Sequence, residues 1–328
     1  MSVKTYAQAI RDVLACEMRR DPDVFIMGED IAEQGGIFGC TRGLLEMFGA
    51  ERVRNTPISE NTVVGAGVGA ASVGMRPVVE LMYMDFLYLA MDQVLNQAAK
   101  MRYMFGGKVR VPLVVRGQQG VGRGNAGQHS QSVESLLMHI PGVKVACPST
   151  PADAAGLLRT AIRDDNPVVF IEHKALYATK GEVPDDPEFS VPFGKCNIAR
   201  EGKDVTIVGN FLYLGKALEA AGILESENIS AEVIDPRTLA PLDIDTIVDS
   251  VKKTGRVIIV HEAHRTMGFG TEIAAAVTEK AFRYLDAPPV RVGSKMCTLP
   301  FNLGLEKAVV PQVEDIVKAA KATLYKQA

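Results

Sequence analysis

Short runs of consecutive apolar residues alternate along the chain with longer segments in which apolar residues recur at helical spacing. Thr5 and Gln8 form a capping box, so a first helix is predicted to begin at Tyr6. The apolar runs lack the alternation of half-exposed strands and therefore predict a parallel sheet covered by helices on both faces. Strands are predicted at Val24–Met27, Val78–Val79, Leu113–Val115, Val143–Ala146 and Val168–Ile171. Helices are predicted between them at Val63–Gly74, Met84–Tyr103, Ser132–His139 and Pro151–Arg163.

A stretch rich in proline and acidic residues, Gly181–Gly194, interrupts this order and indicates a linker. We therefore predict an α/β protein with two open domains, residues 1–180 and 197–328, joined over residues 181–196. Ligands of such sheets bind beyond the carboxyl ends of the strands. Strands of the second domain are predicted at Val205–Val208, Ala231–Ile234, Arg256–Val260 and Val290–Val292. Its helices are predicted at Tyr213–Leu224, Asp243–Lys252 and Gly270–Ala281.

Composition narrows the class of protein. The length of 328 residues agrees with two domains, and 47% hydrophobic residues suffice for a core in each. The 36 basic and 39 acidic side chains argue against a nucleic-acid-binding protein, because such domains usually carry a basic excess. The longest uncharged stretch, Asn61–Met75, is shorter than the roughly 20 residues of a membrane helix. Five scattered cysteines and an N-terminus without an apolar signal core lead us to expect a cytoplasmic protein.

One candidate for proton transfer is Glu60, where the loop Thr56–Asn61 meets a helix almost free of polar side chains. We expect its carboxyl to be partly desolvated, which would suit it to proton transfer near neutral pH. Position alone favours a plainer alternative, a carboxylate that the helix macrodipole stabilises.

The small residues that follow Glu60 allow two interpretations. Gly65, Gly67 and Ala70 fit the G-x-G-x-x-A pattern of dinucleotide-binding proteins, but no strand directly precedes the first glycine. The favoured interpretation is that Gly65, Gly69 and their alanine neighbours let the helix pack closely against others.

A second candidate lies in the glycine-rich loop Gly117–Gln131, which lacks the Gly-Lys-Ser/Thr ending of a phosphate-binding P-loop. Glycines in such a loop let the backbone approach a ligand closely. His129, near the end of the loop, is a candidate acid or hydrogen-bond donor, with a structural role as the alternative.

The sequence does not match two common catalytic patterns. There is no G-x-S-x-G elbow, so a serine hydrolase is not supported. His261 and His264 are one residue too close for the zinc pattern H-E-x-x-H, and we expect them in a loop after a strand.

A series of short motifs, spread over essentially the whole chain, carries a resemblance to a known family. The motifs are Gly28–Asp30, Pro57–Glu60, Tyr103–Gly107, Gln128–Gln131, Pro141–Val145, Ala161–Pro167 and Arg237–Asp243. In this order they resemble the β subunit of the thiamine-diphosphate-dependent first component of 2-oxo acid and acetoin dehydrogenase complexes. The resemblance implies a transketolase-like pyrimidine-binding domain followed by a transketolase C-terminal domain.

The resemblance also implies roles for individual residues. The carboxylate of Glu60 would hydrogen-bond the aminopyrimidine of the cofactor, whose imino group then removes the thiazolium proton to make the nucleophilic ylid. Phe86 would pack against the pyrimidine. His129 would face the substrate and assist the intermediate or the lipoyl acceptor. A structural potassium ion would be held, largely by backbone carbonyls, at Leu113, Ala161, Ile162, Asp164 and Asn166.

Part of the expected site is missing from the sequence. Thiamine enzymes of this kind hold Mg²⁺ and the diphosphate with a Gly-Asp-Gly motif, which does not occur here. The resemblance therefore implies an α subunit that supplies this half of the site in an α₂β₂ heterotetramer. The apolar segment Met82–Val94, with Asp92 as its expected buried acid, fits either an interface helix or an ordinary core helix.

The substrate is less sharply indicated. Gly36–Gly39 has glycine where many 2-oxo acid members carry arginine, and Lys100–Phe105 and Glu172–Lys174 also look closer to acetoin dehydrogenase β chains. Pyruvate is the main alternative and branched-chain 2-oxo acids the next. The expected reaction cleaves the substrate on the cofactor and passes the acyl group to a lipoyl domain of the acyltransferase core. The contrasting hypothesis is a non-catalytic module that binds a dinucleotide.

Overall fold

The computed structural model describes residues 1–325. The chain forms two compact units. The first unit comprises Met1–Gln119 and Leu136–Phe193, and the second comprises Gly120–Ser135 and the chain from Gly194 on. The glycine-rich loop thus belongs to the second unit although it interrupts the first in sequence. The boundaries proposed from the sequence, residues 1–180, 181–196 and 197–328, stay a prediction.

Parallel strands, buried along most of their length, form the main sheet of the first unit. The strands up to residue 193 are β1 (Ser2–Thr5), β2 (Val24–Gly28), β3 (Val53–Asn55), β4 (Arg76–Leu81), β5 (Val114–Gln119), β6 (Lys144–Ala146), β7 (Val168–His173) and β8 (Lys180–Val183). Within this unit the order is β6-β7-β5-β4-β2-β3, and each neighbouring pair runs parallel. The predicted buried parallel sheet is therefore confirmed.

Helices connect these strands. They are α1 (Tyr6–Arg20), α2 (Leu44–Phe48), α3 (Glu60–Ser72), α4 (Ala99–Met104), α5 (Glu134–Met138) and α6 (Pro151–Arg163). The capping box predicted at the start of α1 is present, with Thr5 accepting from the Gln8 amide at 3.1 Å. Helix α6 begins and ends at the predicted residues, since Thr150 caps it and Pro151 occupies its first turn.

Two predictions about the first unit are corrected by the structure. The segment Met84–Tyr103 is not one helix: a 3₁₀-helix, Met84–Ala90, precedes a π-helix, Gln93–Ala98, which continues into α4. Asp92 is exposed and accepts a hydrogen bond from Asn96 at 2.6 Å, so it is not the buried acid of this segment. Asp85 is buried instead. Because most residues of this segment are apolar, the sequence pattern does not show which of its faces is turned inward.

The predicted linker also contains structure. Residues 180–183 form β8, which pairs antiparallel with β1, from Ser2 opposite Val183 to Thr5 opposite Lys180. Both strands are only four residues long and lack a continuous apolar run, so their pairing left no signal in the sequence pattern.

The second unit contains a mixed sheet in the order β14-β13-β10-β11-β9, in which only the β9–β11 pair is antiparallel. The strands of the second unit are β9 (Asn197–Arg200), β10 (Val205–Gly209), β11 (Ala231–Asp235), β12 (Thr238–Ala240), β13 (Val257–His264) and β14 (Val290–Ser294). Its helices are α7 (Leu212–Ser226), α8 (Ile244–Thr254), α9 (Phe269–Ala281), α10 (Leu303–Val309) and α11 (Val313–Thr323). Short 3₁₀-helices lie at Lys174–Leu176 in the first unit and at Phe282–Tyr284 in the second. Apolar side chains of β10, β11, β13, α7 and α11 form one buried cluster.

The prediction of a loop at His261 and His264 is wrong. Strand β13 continues through both residues, because β14 supplies hydrogen-bonding partners as far as the pair His264–Ser294. His261 is buried and His264 is exposed.

Candidate active site

Acidic side chains gather at the carboxyl end of the sheet of the first unit. Glu29 directly follows β2, and Glu60 is the first residue of α3. Their side chains are 7% and 6% exposed. Burial raises the pKa of Glu29, and the negative charges of Glu60, Asp30 and Glu80 raise it further. The raised pKa favours the protonated form of Glu29 more than is the case for an exposed glutamate.

Glu29 is a residue that the sequence reasoning missed. It lies in the motif Gly28–Asp30 that carried the family resemblance, yet no role was given to it. The signal was available, because an acid directly after a buried parallel strand lies where ligands of open α/β sheets bind.

The aromatic candidate Phe86 lies in the 3₁₀-helix Met84–Ala90, against which α3 packs. Its side chain is half-buried, and its amide donates to the carbonyl of Tyr83 at 2.9 Å. The first unit thus contains both predicted pyrimidine-binding residues, Glu60 and Phe86, on elements in direct contact.

The dinucleotide hypothesis fails on geometry. Gly65, Gly67 and Ala70 all lie inside α3 rather than in a turn between a strand and a helix, where the fingerprint needs them. A Cβ atom on Gly67 would fall 2.9 Å from side-chain carbons of both Val79 and Leu113. Close packing therefore explains Gly67, although Gly69, which we expected to pack, faces open space.

His129 belongs to the second unit, where two buried carboxylates hold its loop. The amide of Val121 donates to Glu262 Oε1 at 2.8 Å, and the amide of Gly122 donates to Glu306 Oε2 at 3.1 Å. Glu262 and Glu306 are both buried. Neither contact can be predicted from the sequence, because the carboxylates lie 141 and 184 residues from the amides that they bind.

The residues proposed to hold potassium lie together in the first unit. The carbonyl of Ile162 accepts from Arg76 Nη1 at 2.9 Å, and that of Asp164 accepts from the same atom at 3.2 Å. The carbonyls of Leu113 and Ala161 accept backbone amides. Each carbonyl has a second lone pair that a cation could use.

In residues 1–325, no three His, Cys, Asp or Glu side chains converge as metal ligands, and no helix is long and apolar enough to cross a bilayer.

A buried ionic network crosses the same sheet. Arg116 on β5 donates from Nε and Nη2 to the two carboxylate oxygens of Glu172, both at 2.7 Å, and from Nη1 to Glu80. The hydroxyl of Tyr177 donates to Glu172 at 2.5 Å. Burial opposes the charge on Arg116, but Glu172 and Glu80 outweigh it and raise its pKa. Burial also raises the pKa of Glu80.

The second unit buries a neutral histidine. His261 is fully buried, and its Nε2 has no hydrogen-bond partner in the described part of the chain. Cβ atoms on Gly268 and Gly293 would fall 2.4 Å and 2.8 Å from the ring, so only glycine admits the imidazole at these points. Burial lowers the pKa of His261 to about 4, against the weaker opposing effect of the Ala263 carbonyl.

This depressed pKa predicts a pH dependence of stability. The unfolded chain binds a proton at His261 below about pH 6.5, whereas the folded protein does so only near pH 4, so the free energy of unfolding falls as the pH drops through this window. The shift corresponds to about 3 kcal/mol. Urea unfolding at a series of pH values should show a smaller loss for His261→Gln than for the parent protein. His264→Gln, at an exposed position, is the control, and equal pH dependence in all three proteins would contradict the prediction.

Two family profiles match the chain. The profile described as "Transketolase, pyrimidine binding domain" covers residues 2–180, and that described as "Transketolase, C-terminal domain" covers residues 194–316. One solved structure, described as an inactive β4 tetramer of a split-gene transketolase, aligns with 98% of this chain and 99% of its own at a TM-score of 0.79. At 23% sequence identity this likeness shows the fold.

Two named relatives are more similar to this chain in sequence than that structure is. The pyruvate dehydrogenase E1 component subunit beta of Rhizobium meliloti is 47% identical over 326 residues, which are 99% of this chain and 71% of that protein. The acetoin:2,6-dichlorophenolindophenol oxidoreductase subunit beta of Cupriavidus necator is also 47% identical, over 96% of each chain. With both transketolase domains matched in order and relatives of this identity aligned along nearly the whole chain, the protein belongs to the family of β subunits of thiamine-diphosphate-dependent pyruvate and acetoin dehydrogenases.

Proposed function

We propose that this chain is the β subunit of a dehydrogenase that cleaves acetoin or pyruvate on thiamine diphosphate. In this function the acyl group passes to a lipoyl domain of the acyltransferase core. The observation that carries the proposal is the buried carboxyl of Glu60 at the start of α3, together with the buried Glu29, whose pKa is raised by burial.

The residues of the first unit fit the pyrimidine half of the cofactor. When bound, thiamine diphosphate supplies an electron sink for the carbon that loses its bond. Glu60 would hold the aminopyrimidine ring by a hydrogen bond at its carboxyl, and Phe86 would pack against the ring face. Burial and the charge of Glu60 raise the pKa of Glu29, so Glu29 would add less negative charge near the ring than an exposed glutamate does.

An α subunit would supply the diphosphate and Mg²⁺ half of the site in an α₂β₂ heterotetramer. Two observations support this part of the proposal. The matched relatives are named as beta subunits. The sequence also lacks the Gly-Asp-Gly motif that would bind Mg²⁺ in this chain.

A structural potassium ion would lie at the carbonyls of Leu113, Ala161, Ile162, Asp164 and Asn166. The carbonyls of Ile162 and Asp164 already accept hydrogen bonds from the Arg76 guanidinium, so the ion would use their second lone pairs. Five cysteines without disulfides in the described residues agree with a reducing compartment, for which we propose the cytoplasm.

For His129 we propose a role in acyl transfer. In the assembled enzyme, His129→Ala should leave thiamine diphosphate binding unchanged but slow acetylation of a free lipoyl domain about 100-fold, as expected for loss of an acid–base group. Stopped-flow measurement of lipoyl acetylation, beside calorimetric titration of the cofactor, separates the two effects. The exposed neighbour Gln128→Ala is the control. Lipoyl acetylation at the parental rate would remove His129 from the reaction.

The proposed function as a whole is tested by co-purification. The chain should be expressed with an α subunit of the same family, and the complex assayed with acetoin, pyruvate and branched-chain 2-oxo acids in parallel. We expect thiamine-diphosphate-dependent turnover with acetoin or pyruvate. Turnover of branched-chain substrates alone would favour the branched-chain alternative, and no cofactor-dependent turnover of any of the three would reject the proposal.

A further inference from the structure

Four basic side chains of the second unit line one cavity of about 420 Å³: Arg265, Arg291, Lys295 and Lys307. None of these four forms an ion pair with any carboxylate of residues 1–325. Lys253 of the same unit, by contrast, contacts two carboxylates.

The walls of the cavity are regular secondary structure. Arg291 lies on β14, the edge strand of the sheet, while Arg265 follows β13 and Lys307 lies on α10. A Cβ atom on Gly293 would come within 2.8 Å of the Cα of Arg265, so the two backbone segments are in close contact. Arg291 Nη1 donates to the carbonyl of Arg265 at 3.1 Å and to Thr271 Oγ1 at 2.8 Å, which fixes one side of its guanidinium.

Charge is poorly balanced inside the cavity. Its one acidic lining residue is Asp315, and the carboxylate of Asp315 already accepts the amide of Gln312 at 2.8 Å. The four cations therefore face one occupied carboxylate, in a chain whose formal net charge is −3. A cleft lined by one sign of charge concentrates the field and attracts ions of the opposite sign.

We propose that this cavity binds a small phosphorylated molecule. Arginine guanidinium groups match the geometry of phosphate oxygens, and lysine adds a point charge. A concave volume of this size lies in the usual range for small-molecule sites, whereas an acidic protein segment would more often meet a flat basic surface. The proposal does not depend on the dehydrogenase function, since none of its residues belongs to the cofactor or substrate candidates.

Calorimetric titration of the full chain with inorganic phosphate and with pyrophosphate, at constant ionic strength, tests the proposal. We expect saturable binding that is tighter for pyrophosphate. The double variant Lys295→Gln/Lys307→Gln changes two exposed side chains and should keep the parental melting temperature. It should weaken binding about tenfold or more, because it removes two of the four cations that would attract the phosphate charge.

The charge-matched control is Lys108→Gln/Lys203→Gln, which removes two exposed lysines away from the cavity and should bind as the parent does. Absence of saturable binding in the parent protein would overturn the proposal, as would equal affinity of the Lys295→Gln/Lys307→Gln variant. Binding of a polyglutamate peptide without binding of either phosphate would overturn it in favour of an acidic protein partner. Glu60→Gln should not change phosphate binding, so failure of the active-site proposal would be seen separately.

Discussion

Replacing Glu60 with glutamine is expected to slow hydrogen–deuterium exchange at the reactive thiazolium carbon of thiamine diphosphate in the assembled enzyme by at least about 100-fold. The substitution keeps the size and the hydrogen-bonding capacity of the side chain but removes its ability to take up a proton. Glu60 is 6% exposed, so water is poorly placed to replace the carboxyl as a proton carrier. Loss of a positioned acid–base group costs about 10²- to 10⁴-fold in rate, and we expect exchange and turnover to fall together by this amount.

Quenched-flow NMR of the cofactor measures this exchange directly. Glu51→Gln, an exposed acid of the same unit, makes the same chemical change without burial and should exchange at the parental rate. Glu29→Gln tests the neighbouring carboxyl, and a smaller fall is expected if Glu29 only adjusts the charge near Glu60. Exchange at the parental rate in Glu60→Gln would remove Glu60 from proton transfer and leave the plainer role of a helix N-terminal carboxylate.

The second large effect is expected on stability. Replacing Arg116 with methionine removes the cation between Glu80 and Glu172 and leaves both carboxylates buried without it. Breaking a buried ion pair by removing one partner typically costs about 3–5 kcal/mol, because the remaining charge is uncompensated. We expect the free energy of unfolding of the first unit to fall by this amount.

Urea unfolding monitored by circular dichroism measures the effect, with a separate transition allowed for each unit. Arg110→Met is the matched control: Arg110 is 67% exposed in its pair with Asp165 at 3.0 Å, and its loss should cost no more than about 1 kcal/mol. The triple variant Arg116→Met/Glu80→Gln/Glu172→Gln removes all three charges and should recover more than half of the lost stability. Equal costs for Arg116→Met and Arg110→Met would show that the buried network contributes nothing of its own.

Local patterns predicted a large part of the fold. Apolar runs located the parallel strands, and helix α6 was correct at both ends because Thr150 and Pro151 mark its start in the sequence itself. The same reasoning failed for the short strands β1 and β8, whose pairing depends on a partner about 180 residues away. It also failed for Asp92, because an apolar segment that mixes 3₁₀-, π- and α-turns has no single inward face.

The site was predicted in part for the same reason. Glu60 and His129 lie in motifs that can be recognised from adjacent residues, and the family resemblance then implies a role for Phe86. The supporting groups cannot be recognised in this way, since Arg116 looks like an ordinary charge after an apolar run until Glu80 and Glu172 are placed on the neighbouring strands. In the sequence, Glu262 is notable only as the acid between His261 and His264. Its contact with the His129 loop cannot be predicted from the sequence.

That contact has a consequence for synthesis of the protein. The amides of Val121 and Gly122 leave the ribosome 141 and 184 residues before Glu262 and Glu306, the carboxylates that they bind. At about 5–20 residues per second, the nascent loop waits roughly 7–37 s for its partners. Throughout this interval the loop is a glycine-rich segment without its carboxylate anchors, so a protease or a chaperone acting during translation would meet it before the mature enzyme exists.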